Sequence, residues 1–163
     1  MRTLAIAAVI LSAVTALPAS AATPPAAHVY EERSAPGETM DDFIARISPR
    51  AVATTEESRV MHCGVIGQAG EQYSIRVGTS NTWKSCQITL SDVAQGFTST
   101  GVTFRTATGD QDSKQGFTDE DFKRPRGYIA FGEVVRYQEG RTKDRPISIR
   151  SHRAPAPESA GSP

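Results

Sequence analysis

The chain has 163 residues, with 18 Lys and Arg balanced by 18 Asp and Glu, 38% hydrophobic side chains and two cysteines. This is the composition of an ordinary soluble protein. It carries no internal repeat and no nucleic-acid-binding motif, and past the amino-terminal segment no apolar run approaches the ~20 residues that cross a bilayer.

Met1, Arg2 and Thr3 lead into an apolar run from Leu4 to Ala16, followed by Leu17-Pro18-Ala19-Ser20-Ala21-Ala22. A cationic start, an apolar core too short to span a membrane and small residues at Ala19 and Ala21 predict a cleaved secretory signal over residues 1–22. The mature protein is therefore expected to be periplasmic or secreted, with no stable membrane insertion after cleavage. Residues 23–37 read as a flexible Pro/Ala-rich segment, 38–150 as a single domain and 151–163 as a flexible Pro/Ala/Ser-rich tail.

Within the domain, Thr39 is placed to cap a helix, with Asp42 as its capping-box partner and Met40, Phe43, Ile44 and Ile47 on one face. Ser48-Pro49 is expected to end or kink this helix before a shorter resumption over residues 50–57. From Arg59 the period becomes alternating. Val60 to Ile66 and the Tyr73, Ile75, Val77 series predict a hairpin about Gly67–Gly70. Cys86, Ile88 and Leu90 alternate as a further strand, and Gly101 to Thr106 forms another. Ala107 to Gln115 has the composition of a surface loop, and Phe117 to Phe122 reads as a helical turn capped by Thr118. Residues 128–131 and 134–137 flank Gly132-Glu133, a pair suited to a type II′ hairpin, and Ile147-Ser148-Ile149 reads as an edge strand after Pro146. The predicted class is α+β, an amino-terminal helix packed on a mixed or mainly antiparallel sheet.

In an oxidising compartment the pair Cys63 and Cys86 predicts a disulfide, whose loop of roughly 20 residues contributes about 3 kcal/mol in the chain-entropy model. The spacing is far longer than the Cys-x-x-Cys of a redox centre.

The order of these segments resembles a JAB/MPN domain, the superfamily whose active members are zinc-dependent peptidases and isopeptidases with the JAMM motif. The likeness runs from about Glu38 to Tyr137. It rests on the helix, on Cys63-Gly64-Val65-Ile66, on residues 100–106 where the family runs into its His-x-His, on residues 117–122 where it has Ser-x-x-Asp, and on the hairpin about Gly132-Glu133. Active members hold zinc with two histidines and an aspartate and use a glutamate as proton acceptor. Here Phe104-Arg105-Thr106 stands in place of His-x-His, Met61 stands where the glutamate would fall, and only Thr118 and Asp121 fit. The resemblance therefore implies a dismantled metal site, with Phe104, Arg105, Thr106, Thr118 and Asp121 as its rim, and with no catalytic residue, metal or cofactor assigned.

Elsewhere, His62 is read as a packed or surface histidine in preference to a ligand. Gly109-Asp110-Gln111-Asp112 begins like a calcium loop, but the remaining ligands of that pattern are missing. The zero net charge conceals a split: Thr23 to Asp121 carries 8 Lys and Arg against 14 Asp and Glu, and Phe122 to Arg153 carries 9 against 3. The basic part offers cations to a polyanion, or else solvates the surface and pairs with the acidic part; the second reading is preferred. The expected function is an exported, non-catalytic JAB/MPN-like domain that binds a protein or an anionic envelope component in the bacterial periplasm. The alternatives are a metal-dependent peptidase or amidase using a rearranged set such as His62, Asp110, Asp112 and Asp121, and a secreted immunity or inhibitor protein.

Overall fold

Helix α1, Met40–Ser58, starts where its cap is written: Thr39 Oγ1 accepts the backbone N–H of Asp42 at 3.2 Å and donates to Asp42 Oδ2 at 2.7 Å. The computed structural model describes residues 26–107 and 116–147. The expected signal, the carboxy-terminal tail, the segment with Asp110 and Asp112, and Ser148-Ile149 lie outside the described residues. The helix neither ends nor restarts at Pro49, which the sequence suggested, but runs through it. Pro49 itself is exposed, and Ser48 Oγ donates to the Ile44 carbonyl at 2.6 Å on the buried side. Arg59, in the left-handed region at φ 59°, closes the helix by donating its N–H to the Thr55 carbonyl.

Among the described residues, seven strands form one mixed sheet: β1 (Ala27–Arg33), β2 (His62–Ala69), β3 (Gln72–Thr79), β4 (Thr98–Thr106), β5 (Gly127–Phe131), β6 (Val134–Gln138) and β7 (Asp144–Ile147). Their spatial order is β1-β3-β2-β4-β5-β6-β7, and every neighbouring pair is antiparallel except β4 and β5, which run parallel. The class is therefore α+β. The β2–β3 hairpin is present with its turn at Gly70-Glu71, later than the sequence suggested, and Gly70 has φ +57°. The β5–β6 hairpin turns at Gly132, whose φ of +52° is followed by a residue without positive φ, the pattern of a type II′ turn.

Two expectations fail. Residues 27–33, read as part of a flexible segment, form the edge strand β1 on β3. Cys86, Ile88 and Leu90 do not form a strand; they lie in an irregular excursion over residues 80–97, and Leu90 is 45% exposed. The helical turn expected near Thr118 is a short 3-10 turn, Asp121–Lys123.

The core lies between α1 and one face of the sheet, where Phe43, Ile44, Ile47 and Val52 pack on Ile66, Ile75, Val77, Phe104 and Val135. Asp41, in the first helical turn, accepts from Tyr128 Oη at 2.6 Å and pairs with Arg145 at 2.8 Å, fixing the helix start to β5 and β7. The opposite face is covered by the 80–97 excursion and by the segment that leads from residue 116 into β5. Gly67 permits the close seating of the excursion: a Cβ there would lie 2.9 Å from Phe97 Cβ and 3.2 Å from Val93 Cβ.

Candidate functional site

Strand β4 sends alternate side chains to the two faces of the sheet, and this decides what each of them can do. Val102, Phe104 and Thr106 enter the helix side and are fully buried. There Thr106 Oγ1 lies 2.6 Å from Thr55 Oγ1 and accepts the His62 backbone N–H at 2.9 Å, while Thr55 Oγ1 lies 2.9 Å from His62 Nδ1. His62 is 2% exposed. Burial lowers its pKa below the ordinary value, against a smaller opposing effect of a hydrogen bond to the Val60 backbone. It is a packed neutral imidazole with satisfied partners, on the other face of the sheet from Asp121.

Thr103 and Arg105 point to the helix-free side, into a cleft of about 500 Å³. Its floor is β4 and Met61. One wall is Lys84, Cys86, Gln87 and Ile88 from the excursion; the other is Thr118, Glu120, Asp121 and Arg124 from the segment before β5. The first wall is tied down covalently, because Cys63 in central strand β2 forms a disulfide with Cys86 at a Cα–Cα distance of 5.9 Å. Two further anchors hold the excursion: the Met61 N–H donates to the Thr82 carbonyl at 2.9 Å, and Arg76 pairs with Asp92. The disulfide is compatible with an oxidising, exported compartment.

The second wall is held by charge. Arg105 Nε and Nη2 each donate to one oxygen of Asp121, both at 2.6 Å, a bidentate pair with side chains only 10% and 16% exposed. The Thr118 N–H and Oγ1 donate to the same carboxylate at 2.7 and 2.8 Å. Burial alone would push the Asp121 pKa up, but the Arg105 guanidinium and the Thr118 donors outweigh it and hold the carboxyl below its ordinary range. Gln138 completes the anchorage, its Nε2 donating to the Arg124 carbonyl at 3.2 Å.

Of the five rim residues suggested by the sequence, Arg105, Thr118 and Asp121 come together, whereas Phe104 and Thr106 are in the core on the opposite face. His62 and Asp121, two members of the alternative hydrolytic set, are likewise separated by the sheet, and Asp110 and Asp112 lie outside the described residues. Among the described residues, no group of three or more His, Cys, Asp or Glu is placed to hold a metal ion.

Folding brings the two oppositely charged parts of the sequence together at three ion pairs, Arg141 with Asp119, Arg145 with Asp41 and Lys123 with Glu120, while Arg136 pairs with Asp144 within the basic part. Two of the cleft's cations behave differently. Arg124 donates to the Ile88 carbonyl at 3.5 Å, and the Lys84 ammonium sits 5.0 Å from the ring centroid of Trp83. Neither Lys84 nor Gln87 was singled out in the sequence. The only available signal was their nearness to Cys86, whose bond fixes them to the sheet. Comparison of the chain with known protein families, with characterised proteins and with solved structures finds no significant match.

Proposed function

We propose that this chain is an exported, non-catalytic domain of JAB/MPN-like architecture that binds a protein or an envelope component in the bacterial periplasm, with the helix-free cleft as its binding site. One observation carries the reading. The single carboxylate that matches the family's metal-ligand pattern, Asp121, has both oxygens committed to Arg105 and one of them also to Thr118. A carboxylate bound in this way closes a wall and positions it. Coordinating a cation would require breaking a bidentate charge-assisted pair in a nearly buried place. A disulfide-pinned wall facing a charge-pinned wall gives a preformed cleft, which lowers the ordering cost of binding.

The test has two arms. Zinc and calcium titrated into the purified protein are expected to bind without stoichiometry; one zinc per chain, lost in Asp121→Ala, refutes the reading. In cells, a photo-crosslinking residue at Gln87 is expected to give a discrete adduct absent when the same residue is placed at Glu56 on the exposed side of α1. Adducts at neither position, or equally at both, also refute it.

A further inference from the structure

The cations of the described fold are mostly committed to carboxylates, as in Arg46–Glu38, Arg50–Glu32 and Arg136–Asp144. Lys84 and Arg124 are not: among the described residues, neither has a carboxylate within ion-pair distance, and both line the same cleft from opposite walls. Two such charges facing one cavity leave a positive potential that an anionic group relieves. The cavity, at about 500 Å³, is far larger than a bare oxyanion and within the range of small-molecule sites. The rest of its lining is mixed: Met61 and Ile88 are apolar, while Thr103, Gln87 and Glu120 offer the donors and acceptors that ring hydroxyls require. Next to Lys84 in the chain, with the ammonium 5.0 Å from its ring centroid, is Trp83, 52% exposed, whose flat indole is the kind of apolar face on which the C–H side of a pyranose packs.

Building on the recognition reading above, we propose that the cleft receives a sugar bearing an oxyanion, phosphate or carboxylate, with the anion between Lys84 and Arg124 and the ring toward Trp83. Trp83 is the only tryptophan in the chain, so tryptophan fluorescence reports on the surroundings of this one residue beside Lys84. The full chain is titrated with glucose 1-phosphate and with glucuronate, against glucose and inorganic phosphate. Either or both anionic sugars are expected to give a saturable fluorescence change that weakens with added salt, while glucose and phosphate at equal concentration do not. The relative response to the two sugars identifies which oxyanion the site prefers. Lys84→Gln and Arg124→Gln are each expected to weaken binding about tenfold, the effect of one charge-assisted hydrogen bond, and Lys143→Gln to leave it unchanged. Inorganic phosphate binding as tightly as the sugar phosphate overturns the proposal, as does a response insensitive to Lys84 and Arg124, or no response to any probe. If that failure occurs while the Gln87 adduct persists, recognition by the cleft stands and only the ligand class falls; if the adduct is lost too, both fall.

Discussion

The two faces of this sheet are held in different ways. On the helix side, Phe43, Ile44 and Phe104 are 0% exposed and α1 closes over them, so burial does most of the work there. On the other side, no second α-helix packs down among the described residues. The covering segments are irregular, and the disulfide, the Arg105–Asp121 pair and a few backbone bonds fix them. A face sealed by apolar area is a core; a face held by a few strong local bonds keeps a cleft open between its anchors. The sharpest way to expose the difference is Phe104→Ala, the largest expected loss, about 3–5 kcal/mol from transfer and cavity terms. Denaturant unfolding should show this drop, with the Trp83 signal of the remaining folded protein unchanged, because the void opens on the face away from the cleft.

Next in size is the charge anchor. Asp121→Ala leaves the Arg105 guanidinium, 10% exposed, without its partner, and roughly 3 kcal/mol of stability should be lost. Replacing both members, Arg105→Met with Asp121→Leu, is expected to recover to within about 1 kcal/mol of the parent, since no buried charge is then stranded. A double variant as unstable as the single one would show that the pair contributes more than charge compensation.

The same contrast explains which parts could be read from the sequence. Features set by neighbours in the chain were legible: the Thr39 cap, the i, i+3, i+4, i+7 face of α1, the presence of the β2–β3 hairpin, though its turn was placed too early, and the turn after Phe131. The cysteine pair was legible from compartment and number. Strand β1 was not, because as an edge strand it turns mainly Tyr30 toward the core and leaves Val29 45% exposed, so no apolar alternation marks it. Cys86, Ile88 and Leu90 imitate that alternation in a segment whose inward residues are held by a disulfide and not by a ladder. The partner of Arg105 lies 16 residues further along the chain, and Lys84 and Arg124 come to line one cleft only through folding. Alternation along β4 did contain one readable fact, that Phe104 and Thr106 cannot share a face with Arg105.

The two faces should also separate in acid, by a smaller amount. Burial depresses the His62 pKa below its ordinary 6.5, so the unfolded chain takes up this proton first. The stability associated with a neutral His62 is complete above about pH 6.5 and is lost as pH falls from there through the lower folded value. Asp121 has the same sign in a lower window: its contribution is complete above the ordinary 3.8 and is lost as pH falls below it through the depressed folded pKa. Unfolding midpoints measured from pH 7.5 to pH 3 should therefore fall in two stages, the first flattened by His62→Gln and the second by Asp121→Asn. A first stage that survives His62→Gln would place the titrating group elsewhere.

The smallest effect tests the boundary between covered and covering regions. If the Cys86, Ile88, Leu90 series were a strand with one packed face, Leu90→Ser would open that face and cost upward of 2 kcal/mol. Leu90 is instead 45% exposed on the irregular excursion, and the substitution is expected to fall within about 0.5 kcal/mol of the parent. The disulfide enters the same measurement. With Cys63–Cys86 intact, the excursion keeps its place whatever stands at position 90, so Trp83 fluorescence should be unaltered as well. A large loss, or a shifted Trp83 spectrum, would mean that the excursion depends on its own apolar packing and not on its anchors, and the cleft wall would then have to be treated as a small second core.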